Sequence, residues 1–112
     1  MAPFIYNAKL DRVVDGDTVD AHIDLGFHTT IFKRIRLEGI DAPETRTRDL
    51  VEKEAGLRTK ARLEALLGPP GSPFVLHSGA LDKYGRVLGT LWVNEKNINE
   101  VLLTEGLAEI YK

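Results

Sequence analysis

The sequence predicts a mainly β domain with helices (α+β), in which five short strands close into a barrel, with a helix after the third strand and a short C-terminal helix. Three observations carry this reading. Apolar and polar residues alternate at the strand period before Pro43 and again after Pro73, helix formers fill 50–67 between them, and glycines or prolines mark the junctions. With 112 residues the chain has material for one modest core, so residues 1–112 are expected to form a single domain.

The elements follow in order. Phe4 to Val14 mixes apolar and β-favouring residues, and Asp15-Gly16 is a hairpin signal. Val19, Ala21, Ile23 and Leu25 then alternate with Asp20, His22 and Asp24, the pattern of a half-buried strand. Gly26-Phe27 makes the next break. Beyond it Ile31, Ile35 and Leu37 share one side of a third strand, with Arg34, Arg36 and Glu38 on the other. Pro43 interrupts the chain, and Thr45 or Thr47 could cap the helix that follows. From Leu50 to Leu67 the expected buried stripe is Leu57, Ala61 and Ala65, widened by Leu63, Leu66 and Leu67. Gly68-Pro69-Pro70-Gly71 ends that helix. Phe74–His77 and Val87–Val93 read as two further strands, joined through Asp82-Lys83-Tyr84-Gly85-Arg86, where Gly85 supplies the turn. A short helix from about Ile98 to Glu105 is capped by Asn97 or Asn99 and ends before Gly106. This order matches a small barrel of the oligonucleotide/oligosaccharide-binding (OB) type. A doubly wound sheet would need strands and helices alternating throughout.

Composition narrows the function. The absence of cysteine excludes disulfide frameworks, zinc ribbons and thiol catalysis. The formal net charge of −2 argues at first against a nucleic-acid partner. It is an average of unlike parts, however. Met1 to Asp24 holds two bases against five acids, whereas Lys33 to Arg62 holds nine of the fifteen bases against six acids. An acidic segment before a basic one suits a cation site beside an anion site, or two solvated faces. No stretch is apolar enough to span a membrane, and the secretory pattern of a basic then apolar N-terminus is lacking. The expectation is a soluble protein, cytoplasmic or already processed after secretion.

Three constellations could carry chemistry. In Asp15-Gly16-Asp17-Thr18, two carboxylates beside a glycine could serve a hard cation, or form only a hairpin turn. Val19 falls where a calcium-binding EF-hand needs an oxygen ligand. A haloacid-dehalogenase-type phosphatase loop would need a longer chain and a parallel sheet. The second runs from Arg36 through Asp41-Ala42-Pro43-Glu44: a planar fork suited to phosphate, then two carboxylates around a stiff proline. The third is Asp82–Arg86, where Lys83 and Arg86 could meet phosphates and Tyr84 could stack or donate. His22, His28 and His77 lack ligand spacing, and no triad assembles around Ser72 or Ser78. Phosphate-cradling and dinucleotide fingerprints are absent.

Taken together and in this order, the three constellations closely resemble the staphylococcal nuclease (thermonuclease) family. Asn99-Glu100, Leu102-Leu103 and Glu105–Ala108 resemble that family's segment after the last barrel strand. The resemblance covers about Val13 to Ala108. It implies an OB barrel and a calcium-dependent phosphodiesterase that cuts DNA and RNA, internally or from an end, to leave 3′-phosphate products. By the same resemblance Asp17, Asp41 and the Ala42 carbonyl would hold Ca2+. Glu44 would position or deprotonate the attacking water, Arg36 and Arg86 would grip the scissile phosphate, and Lys83 and Tyr84 would contact a neighbouring one. The partner would be single-stranded or frayed DNA and RNA, with no membrane role, bound by a monomer able to associate through its C-terminal end. Two departures stand out. Ala42 sits where the family often has threonine, and the family's further C-terminal helix has no counterpart before Lys112. The competing expectation is a catalytically silent binding module of the same fold. Such a module would be expected to have lost the acidic and arginine positions, yet Asp17, Arg36, Asp41, Glu44 and Arg86 are all present. A metal-dependent phosphatase is more distant.

Overall fold

The computed structural model describes residues 4–111; Met1–Pro3 and Lys112, the outermost residues of the expected domain, lie outside the described residues. The chain runs β1 (Phe4–Asp15), β2 (Thr18–Gly26), β3 (Thr29–Leu37), β4 (Ile40–Asp41), α1 (Leu50–Leu67), β5 (Pro73–Leu81), β6 (Val87–Val93), β7 (Lys96–Asn97), α2 (Ile98–Thr104) and β8 (Glu109–Ile110). The five long strands form the barrel: β3-β2-β1-β5-β6 are antiparallel neighbours, and parallel pairing of β3 with β6 closes the ring. Closure needs curvature, and β1 supplies it through register shifts between Leu10 and Arg12 and between Val13 and Asp15.

The strand alternation decides what fills the barrel. Val19, Ala21, Ile35, Leu37, Leu76 and Leu91 turn inward and are fully buried, and Ile98 and Leu102 of α2 cap the core. Truncating one of the leucines or isoleucines among these to alanine would cost about 2–5 kcal/mol, because the cavity left behind relaxes only partly. The turns behave as their residues require. Gly26, Phe27 and His28 all have positive φ (84°, 55° and 62°), so the β2–β3 hairpin reverses through left-handed backbone.

The first helix occupies the expected span, but its cap and its buried face differ from expectation. Asp49, not Thr45 or Thr47, is the N-cap: its Oδ1 accepts from the Val51 and Glu52 amides at 3.0 and 3.3 Å. Thr47 only supports it, accepting from the Asp49 amide at 3.2 Å. The buried residues of α1 are Gly56, Thr59, Leu63 and Leu67, whereas Leu57 is 48% exposed and Ala61 and Ala65 face solvent. The physical reason is close approach. A Cβ on Gly56 would meet the backbone of Pro43 and Glu44 at 2.6–2.8 Å, and the Thr59 hydroxyl donates to the Leu107 carbonyl at 2.7 Å. A face led by glycine and threonine escapes a search for apolar stripes.

Other differences are smaller. β5 extends to Leu81, past the expected His77, because its small residues pair with both β1 and β6 despite weak intrinsic preference. Asn97 caps α2 by accepting from the Glu100 amide at 3.1 Å, and Asn99 is instead buried. The two-residue strands β4, β7 and β8 carry no alternation to read; β4 and β8 pair as a second small sheet. Among the described residues, no helix is long and apolar enough to cross a membrane.

Candidate active site

Asp15-Gly16-Asp17-Thr18 forms the expected hairpin turn, with Asp15 and Thr18 paired across the ends of β1 and β2. Asp15 Oδ1 accepts from the Thr45 hydroxyl and so ties the turn to the loop before α1. Gly16 is there for space. A Cβ would lie 2.5–3.0 Å from Thr59 and Ala42 side-chain atoms. Asp17 reaches across the same gap: Oδ2 accepts from the Ala42 amide at 2.9 Å, Oδ1 accepts from the Thr18 hydroxyl at 2.9 Å, and its carbonyl accepts from the Leu37 amide at 2.8 Å.

Arg36 completes this cluster. Its neighbours Ile35 and Leu37 point into the barrel, so its own side chain leaves the outer side of β3. Nη1 donates to the Leu37 carbonyl at 2.8 Å, while Nη2 lies 3.3 Å from Asp41 Oδ1 and 3.5 Å from Asp17 Oδ2. The side chains of Arg36 and Asp17 are only 12% and 13% exposed, against 58% for Asp41. One guanidinium nitrogen thus gathers both carboxylates expected to hold a cation. An oxygen-only pair of this kind suits a hard divalent ion that keeps water in its other positions. Among the described residues no cluster of three His, Cys, Asp or Glu side chains occurs, so further ligands would come from backbone carbonyls or water.

The backbone around Asp41 is held from behind. β8 pairs Ile110 with Ile40 and Glu109 with Asp41, the Tyr111 amide donates to the Gly39 carbonyl at 2.9 Å, and the Tyr111 ring lies 5.6 Å from the Arg36 guanidinium carbon. Buried Asn99 adds a further brace. It accepts from the Leu91 amide at 3.1 Å and donates to the carbonyls of Glu38 at 2.9 Å and Gly89 at 3.1 Å. Glu44 stands apart from these restraints: it is exposed, and among the described residues its carboxylate accepts no hydrogen bond.

The loop between β5 and β6 is built from its own residues. Asp82 Oδ1 accepts from the amides of Tyr84 and Arg86, each at 2.9 Å, and Arg86 Nε donates to Asp82 Oδ2 at 2.5 Å. Burial pushes the Asp82 carboxyl up, but these hydrogen bonds outweigh it and the group ends below its ordinary value. Tyr84, 72% exposed, lies between the Lys83 ammonium at 5.2 Å and the Arg86 guanidinium at 5.4 Å. Val87 pairs with Ile35 in the parallel closure, so the chain enters β6 with Arg86 alongside the strand that carries Arg36.

With this geometry in place, comparison with known proteins is informative. The staphylococcal nuclease homologue family matches residues 34–112, most of the chain. This chain belongs to the staphylococcal nuclease family. Among individual members, protein ParB of Escherichia coli is 34% identical over 111 residues, covering 90% of this chain and 55% of its own length. Endonuclease YncB of Bacillus subtilis is 33% identical over 107 residues, covering 95% of this chain and 48% of its own length. The thermonuclease of Staphylococcus hyicus is 30% identical over 100 residues, covering 89% of this chain and 56% of its own length. The chain therefore spans about half the length of these staphylococcal nuclease relatives. The expected barrel is the observed one.

One buried acid had no place in the expected site. Asp20 is 5% exposed, accepting from Arg34 Nε at 2.9 Å, Arg34 Nη2 at 3.2 Å and Arg12 Nε at 3.2 Å. The Arg34 hydrogen bonds foremost, then those of Arg12, hold its carboxyl below the ordinary range against the opposing effect of burial. The signal lay in cross-strand register, which sets Asp20 opposite Arg12 on one side and Arg34 on the other.

Proposed function

We propose that this chain is a nuclease that hydrolyses phosphodiester bonds of DNA and RNA with calcium, leaving 3′-phosphate ends. The observation that carries the reading is Arg36, held with one nitrogen between Asp17 and Asp41 beside the strand pairing that brings in Arg86. Attack on a phosphodiester builds negative charge on the oxygens around phosphorus, so donors already aimed there favour the transition state over the ground state. Arg36 and Arg86 each present a planar fork to those oxygens. Glu44, whose amide donates to Glu52 Oε1 at 3.4 Å but whose carboxylate accepts no hydrogen bond among the described residues, is suited to orient a water opposite the leaving oxygen and take its proton. Lys83 and Tyr84 on the exposed loop would meet the adjacent phosphate. Asp17, Asp41 and the Ala42 carbonyl would hold Ca2+, which supplies further charge neutralisation when bound.

The test is incubation of the purified protein with single-stranded DNA in calcium or in chelator. Cleavage that needs calcium and is abolished by Glu44→Gln supports the reading. Absence of cleavage with every divalent metal, while nucleic acid still binds, would make the chain a catalytically silent binding module.

A further inference from the structure

The outer side of β2 and β3 continues away from Arg36 as an ordered row that the proposed reaction does not use. Because Ile31 and Ile35 belong to the barrel side of β3, Phe32 and Arg34 share the outward side with Arg36. Successive positions in that row are about 7 Å apart along the strand, comparable to the step between phosphates of an extended single strand. Each position has a built partner. Arg34 and Arg12 are both fastened to buried Asp20, yet their side chains remain 45% and 60% exposed. One carboxylate thus fixes two guanidiniums, and the charge of Asp15 also acts on Arg34. Next in the row, Phe32 is 53% exposed, and His22, its register partner on β2, packs against its ring at 4.9 Å between centroids. From there the surface opens into a groove of about 450 Å3 whose lining includes His22, Thr30, Lys9 and Trp92.

A half-exposed phenylalanine costs solvation and contributes nothing to the barrel core. A fixed pair of arginines followed by an exposed aromatic pair, one strand step further on, is the arrangement that recognises an unpaired nucleotide: cation for phosphate, ring for base. We propose that this face binds the stretch of single strand on one side of the scissile phosphate, with Arg34 and Arg12 on the next phosphate and Phe32 with His22 stacking the base beyond. The proposal rests on the nuclease reading for its direction. Its consequence is a preference for unpaired strands several nucleotides long over dinucleotides and duplexes.

The experiment measures binding and cleavage separately. A labelled oligothymidylate of about ten nucleotides is titrated in chelator against wild type, Phe32→Ala, Phe32→Tyr and Arg12→Ala, with circular dichroism as the control for folding. Loss of one stacked base predicts affinity about tenfold weaker for Phe32→Ala, with Phe32→Tyr restoring it. Arg12→Ala should reduce the slope of log affinity against log salt by about one. In calcium, Phe32→Ala should lower kcat/KM on the long strand about tenfold relative to that on a thymidine dinucleotide. Equal affinity of folded Phe32→Ala and wild type, or an unaltered long-to-short ratio, would overturn the proposal. If the decamer responds as predicted while no variant or wild type cleaves it, the face stands and the nuclease reading falls.

Discussion

Two regions offer arginines to the same side of the barrel, and they are held in opposite ways. Arg36 is fixed by groups from all over the chain: Asp17 from the first hairpin, Asp41 from β4, and Tyr111 after β8. Arg86 is fixed by Asp82, four residues earlier, within a loop that needs little else. A long-range cluster is as rigid as the fold and fails with it. A local loop is shaped mainly by its own hydrogen bonds, and its Lys83 and Tyr84 remain exposed.

The contrast can be broken most severely at Arg36. Arg36→Ala is expected to lower kcat by about 10²–10³-fold, as for loss of a fixed donor to a developing charge, while circular dichroism reports an intact barrel. Near-wild-type turnover would remove Arg36 from the site. Next comes Gly56→Ala, which tests whether the long-range region depends on packing. Its methyl would press on the backbone of Pro43 and Glu44, so urea unfolding should show a loss of about 1–3 kcal/mol. Turnover should fall with it, because the displaced loop carries Glu44.

Acid provides a milder probe that separates the two regions. The carboxyls of Asp82 and Asp20 both sit below their ordinary values when folded. Their stabilising contribution is therefore complete above the ordinary aspartate range and lost as pH falls through the lowered values. Between pH 7 and 5 the Arg86 Nε–H and Arg34 Nε–H resonances should not move; below about pH 4 both should shift as these carboxylates are protonated. Asp82→Asn should abolish the low-pH shift at Arg86 and leave that at Arg34. The smallest effect is expected from Ala42→Ser, since the contact observed at this position is the backbone amide that donates to Asp17. Stability by thermal melting should change by no more than about 0.5 kcal/mol.

These regions also explain what could be read in the sequence. The long strands, the span of α1 and the turn at Gly85 rest on local periodicity and backbone preference, which a single chain displays directly. The motif residues were legible too, and Asp17, Arg36 and Asp41 do come together in space. What escaped depends on contacts between distant segments. Gly56 and Thr59 form a packing face without looking apolar, Asp20 is buried only because arginines on both neighbouring strands cover it, and β8 exists only because β4 is there to pair with it. By residue type Asn99 suits a helix cap, where asparagine is common, and only the assembled fold offers it three backbone partners instead.

The parallel closure of β3 on β6 also sets an order of events during biosynthesis. Arg36 leaves the ribosome well before Arg86, with a whole helix and a further strand between them, and the closing pair of Ile35 and Val87 joins segments far apart in sequence. Such contacts form late, after the cost of closing a long loop has been met. The two arginines therefore remain apart until the barrel is finished. A nascent or partly folded chain therefore has Arg36 without Arg86 beside it, so the phosphate grip proposed for the pair arises only with the finished barrel.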